Sequence, residues 1–157
     1  MYKTKNSLPE NVRGQAIGLL SRNLALAIDL KLQTKQAHWN VKGPNFIALH
    51  ELFDSIATLA DGFVDLIAER ITTLGGTAEG TLQAVAKNST LSAYPLNITT
   101  GNAHLEALSG ALAAFGAKIV MRRSAPPLNM SNMPSTPPPC CWKICASTVG
   151  SMPGSGM

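Results

Sequence analysis

The chain has 157 residues, enough for one domain with a workable core, and carries 13 Lys and Arg against 9 Asp and Glu. Of the formal charge of +4, three units come from Arg122, Arg123 and Lys143, beyond residue 119, so the body is nearly neutral and the basic pI is weak ground for a nucleic-acid binder. There is no apolar run of bilayer length, and MYKTKNSLPENVRG lacks the apolar core of a secretory signal, so a cytoplasmic protein is expected.

Residues 1–6 form a short polar lead. Its Lys3 and Lys5 are candidate contacts to DNA phosphates, and an ordinary frayed terminus is the other reading. Ser7-Leu8-Pro9-Glu10 reads as a capping box, with Ser7 as N-cap, opening a helix that runs to about Trp39. Val12, Ala16, Leu19, Leu20, Ala27, Ile28 and Leu30 supply its apolar face. His38 and Trp39 stand at its C-terminal end, where a histidine is either a dipole cap or a ligand. Gly43-Pro44 breaks the helix.

A second helix begins after Asn45 and ends at Gly75-Gly76. Its apolar residues, from Phe46 through Leu49, Phe53, Ile56 and Phe63 to Ile71, recur at helical spacing. At 100° per residue, His50, Asp54, Asp61 and Asp65 fall in one narrow sector, with Glu69 at its edge. On spacing alone two readings are open. One is a solvated acidic face. The other is a nitrogen and oxygen ligand set for a first-row metal such as iron, manganese or zinc. Asp54 and Asp65 lie roughly 16 Å apart along the helix, whereas metal–ligand bonds are about 2 Å long. One metal therefore takes only one end of this helix. Two antiparallel copies related by a two-fold axis would close the gap.

Residues 77–98 read as a long connection with a short helix over 81–87. A third long helix is expected to start near Thr99 or Thr100, with Leu105, Leu108, Leu112 and Phe115 on its apolar face. His104, on its first turn, is assigned no function. After Ile119 the composition changes abruptly. Residues 120–157 hold seven of the ten prolines, five of the six methionines and all three cysteines, without apolar periodicity. A disordered tail and a shifted reading frame are the two readings of this segment. Cys140, Cys141 and Cys145 lack the fourth ligand that a zinc site needs, and in the cytoplasm they would be free thiols.

TKQAHWNVKGPNFIALHELFD followed by DGFVDLIAERITTLGG resembles the signature of the Dps family, the DNA-protection-during-starvation proteins of the ferritin-like superfamily. The resemblance extends to about Ile119. It implies an all-α, ferritin-like four-helix bundle subunit over residues 1–119. It also implies a ferroxidase site between two subunits, with His38, His50 and Asp54 from one chain and Asp65 and Glu69 from its mate as metal ligands and catalytic residues. Trp39 matches the family's tryptophan beside the site. Ferrous iron would be the substrate, hydrogen peroxide the preferred oxidant and a ferric mineral the stored product, inside a twelve-subunit shell that protects DNA. Nucleoid association and non-specific DNA contact through Lys3 and Lys5 follow from the lysine-bearing tails of some members. An ordinary ferritin site needs Glu-x-x-His motifs, and the sequence has none.

The sequence departs from the family at its end. A ferritin-like bundle needs four long helices, and here the fourth is expected to be missing or replaced by an irregular tail over 120–157. Two alternatives accompany the ferroxidase: a non-specific DNA-compacting structural protein, supported by Lys3 and Lys5 alone, and, from the missing helix, a truncated product that does not assemble.

Overall fold

The computed structural model describes residues 1–120. It contains α1 (Glu10–Asn40), α2 (Phe46–Thr73), α3 (Leu82–Asn88) and α4 (Gly101–Val120). This count corrects the expectation of a subunit short of its fourth helix, since four helices form before residue 121. The connection supplies one of them: the Thr81 side chain accepts from the Ala84 amide and starts α3. The reading of a truncated, non-assembling product rested on that loss and loses its premise. The irregular tail expected beyond Val120, with its cysteines, lies outside the described residues.

α1 is the hub. Leu24, Ala25, Leu26 and Ala27 are buried in succession. Consecutive residues point 100° apart, so such a run is covered from several sides. α2, α3 and α4 all pack against it. Its start differs from the expected capping box. Pro9 occupies the N-cap position with no side-chain hydrogen bond, and Asn6 rather than Ser7 accepts from the Leu8 amide. Proline has no N–H to leave unsatisfied and its fixed φ suits a helix entry, so the first turn forms without the box.

α2 ends as its glycines require. The Gly76 amide donates to Ile71 and the Gly75 amide to Thr72, a Schellman pair, with Gly75 at φ 91°. A Cβ on Gly75 would also lie 2.7 Å from the Tyr2 carbonyl oxygen. The N-terminal segment docks here: the Tyr2 amide donates to the Gly75 carbonyl, and the Tyr2 hydroxyl to that of Thr72.

The core cluster of Ala37, Val41, Phe53 and Leu108, joined by Leu49, Tyr94 and Leu105, lies where α1 ends, α2 begins and α4 begins. Each large side chain fully buried in such a cluster contributes about 1.5–3 kcal/mol. Gly101 lets α4 close in, since a Cβ there would meet the Leu49 side chain at 2.5 Å. A bridge between Lys42 and Thr100 ties the α1–α2 turn to the same point.

His104 belongs to this packing. It is 1% exposed, and its Nδ1 lies 2.6 Å from the Tyr94 hydroxyl, while Nε2 completes no hydrogen bond. Burial pushes its pKa below the ordinary 6.5, against a weaker raising effect from the Asn40 backbone. Burial likewise raises the Tyr94 phenol. Because the folded state resists protonation of His104, its contribution to stability is complete above pH 6.5 and falls as pH drops through that value towards the folded pKa. Thermal unfolding followed against pH should show the midpoint falling on acidification below 6.5, and His104→Leu should flatten that part of the profile.

Candidate metal centre

The turn after α1 reverses the chain and sets α1 and α2 side by side. His38, on the last turn of α1, then faces His50, on the second turn of α2. Their rings stack with centroids 3.7 Å apart and planes 25° from parallel. Each ring binds the other residue's backbone: His38 Nδ1 lies 2.9 Å from the His50 carbonyl oxygen, and His50 Nδ1 lies 2.9 Å from that of His38. A carbonyl only accepts, so each Nδ1 carries the proton and donates. In the neutral ring, Nε2 is then left with its lone pair, the atom a metal takes. Phe46 packs against the His50 ring at 5.0 Å.

The pair is the end rung of a ladder along the α1–α2 seam. Lys31, Lys35 and His38 stand at i, i+4 and i+7 on α1, one row of a helix. They meet Asp61, Asp54 and His50 of α2 in antiparallel order. Lys31 is ion-paired with Asp61, and Lys35 with Asp54. The hydrogen bond from Lys35 holds the Asp54 carboxyl below its ordinary value of 3.8; desolvation opposes this, and the charges of Lys35 and the two histidines add to it. The lysines were absent from the sequence-derived site. Their row with His38 was visible in the spacing, but not which row of α2 it meets.

Asp65 and Glu69 lie further along α2, exposed and apart from this end of the seam. Among the described residues, no three His, Cys, Asp or Glu side chains are gathered closely enough to hold a metal ion. On the side of α2 turned away from the acidic sector lies a second feature, an exposed apolar stripe of Leu52, Leu59, Phe63 and Leu66, the last three 66%, 57% and 64% exposed. Trp39 is also exposed, next to His38. Lys3 and Lys5 are exposed, on a segment tied down by Tyr2 and by Arg13, whose guanidinium donates to Thr4 Oγ1 at 3.2 Å and to the Leu74 carbonyl at 3.1 Å. Among the described residues no helix is long and apolar enough to cross a membrane.

A family model described as Ferritin, ferritin-like domain, matches residues 17–117. The structure is similar to that of Mycobacterium smegmatis Dps in a tetragonal crystal form, with a TM-score of 0.73, 36% identity, and coverage of 77% of this chain and 73% of that one. The chain belongs to the Dps family of ferritin-like proteins. A second Dps structure, from Microbacterium arborescens in what is titled the high iron form, matches with a TM-score of 0.67 and 31% identity, covering 76% of each chain. By sequence, the DNA protection during starvation protein of Agrobacterium fabrum is 55% identical over 107 residues, which is 68% of this chain. The chain spans 66% of that Dps protein and about half of the length of several other curated relatives.

The seam predicts one titration. In metal-free protein, carboxyl resonances of Asp54 followed by NMR should shift with a midpoint below 3.8, and Lys35→Met should return the midpoint towards 3.8. A depressed carboxyl pKa means that the ion pair supports the fold above the unfolded value and stops doing so as pH falls through the folded one.

Proposed function

We propose that this protein oxidises ferrous iron with hydrogen peroxide at sites shared between two copies of the chain. It stores the ferric product as mineral within a twelve-subunit shell, and it thereby protects DNA. The observation that carries this reading is the His38–His50 clasp beside Asp54. It sets two Nε2 lone pairs and a carboxylate on the α2 sector that also carries Asp65 and Glu69. Nitrogen and oxygen donors without sulfur suit iron, and the carboxylates favour the ferric product because the higher charge binds them more strongly.

The helix itself argues for a shared site. Asp54 and Asp65 are eleven residues apart, roughly 16 Å at 1.5 Å per residue, which no single metal spans. A two-fold axis across α2 would bring His38, His50 and Asp54 of one copy to Asp65 and Glu69 of the other. Trp39 would then lie at the edge of the site. The relative from Microbacterium arborescens, crystallised in a high iron form, is in keeping with iron as substrate.

The chemistry balances without a further cofactor. Two ferrous ions each lose one electron, the O–O bond of one peroxide accepts both, and two protons complete two waters. Consuming ferrous iron and peroxide together, with both electrons delivered to one peroxide, avoids the one-electron cleavage that releases hydroxyl radical. This is how such a site would spare DNA.

Complementation tests the shared site. His50→Ala and Asp65→Ala, each alone, damage both sites of a two-fold dimer. In a mixed dimer, one site carries both lesions and the other carries none. Random pairing makes half the dimers mixed, so co-refolded protein should regain about a quarter of the wild-type rate of ferrous oxidation. A mixture shown to contain mixed dimers, yet no faster than either variant alone, would refute the reading.

A further inference from the structure

Three rungs join α1 to α2, and the middle one touches the ligand set. Among the described residues, Lys35 is the only Lys or Arg ion-paired with any of His38, His50, Asp54, Asp65 and Glu69. Its ammonium donates to Asp54 Oδ1, an atom a metal ion would use. A divalent ion about 2 Å from that carboxylate would sit against the ammonium, two like charges on one acceptor.

Resting on the metal reading of this site, we propose that Lys35 is a displaceable counter-cation of Asp54 and sets which ions the site accepts and how tightly. Metal entry is then an exchange. The ammonium leaves Asp54 and the incoming ion takes its place. The Lys35 side chain is 31% exposed, so its flexible stem has a path to carry the charge into water. A monovalent ion brings no more charge to Asp54 than the ammonium it would replace. A divalent ion brings one more. The lysine therefore selects against the abundant monovalent cations, and it lowers the affinity that the bare ligands would give a divalent one. Until an ion arrives, it keeps Asp54 at the seam beside His38 and His50.

The neighbouring rung supplies the control. Lys31 and Asp61 form the same kind of pair, at similar exposure of the lysine, but Asp61 is outside the ligand set. Loss of a lysine there removes the same charge from the same seam without freeing a ligand.

The test is titration of the full chain with cobalt(II), followed by calorimetry and by the visible bands of the bound ion. Lys35→Met and Lys35→Gln should bind cobalt at least about threefold more tightly than wild type, in the range expected for release of a partly exposed ion pair. Lys35→Arg, which keeps the charge, and Lys31→Met should leave the affinity unchanged. A merely structural role for Lys35 predicts the reverse, weaker binding in both neutral variants. Cobalt bound no more tightly by either of them, or equal tightening in Lys31→Met, overturns the proposal. Asp54→Asn separates the two readings. If it weakens cobalt binding while the Lys35 variants change nothing, the counter-cation is wrong and the metal site stands. If Asp54→Asn has no effect, the metal reading of Asp54 fails and the counter-cation fails with it.

Discussion

The rise of an α-helix is the constraint on which the rest depends. At 1.5 Å per residue, α2 holds two groups of candidate ligands too far apart to serve one ion. His50 and Asp54 sit near its start and Asp65 and Glu69 near its end, all on one sector. A helix that carried only one of these groups would have the half of a site with no complement elsewhere in the described chain. Carrying both, it holds two halves that, on the proposed reading, a two-fold-related copy of itself would complete.

The half-site at the start of α2 is organised within a single chain. Phe53, Val41, Ala37 and Leu108 fill the space beneath the α1–α2 turn, and Gly101 brings α4 close enough to help. That packing fixes the distance between the helices, and the distance sets the His38–His50 clasp. The clasp in turn fixes which nitrogen of each ring is protonated. Further along the seam, the same distance lets two lysines of α1 meet two aspartates of α2. Partly exposed pairs of this kind add little to stability, so their place beside the candidate ligands is better understood through what they do to charge there.

Much of this was legible in the sequence. Gly75-Gly76 marked the end of α2, Thr81 the start of the short helix, and Gly43-Pro44 the turn, because each of these signals acts through its own few residues. Helical periodicity alone places His50, Asp54 and Asp65 on one sector, with Glu69 at its edge. Other features were out of reach for one reason: they belong to pairs of elements. Whether Lys35 meets Asp54 depends on the register of α1 against α2, and no pattern within either helix fixes it. The burial of His104 depends on Tyr94 and on the neighbouring helices. The count of four helices went wrong by looking for the fourth beyond residue 119, when the connection after α2 already held one. The capping box at Ser7 was a sound local motif that lost to Pro9, which starts the helix two residues later.

The central claim is that the ions bind between two copies of α2. The direct measurement is an anomalous difference map at the cobalt edge from crystals of the full chain grown with cobalt(II). The account predicts a peak bounded by His38, His50 and Asp54 of one chain and by Asp65 and Glu69 of a second, repeated by a two-fold axis. A peak whose ligands all come from one chain, or ordered cobalt bound only elsewhere on the protein, would contradict it.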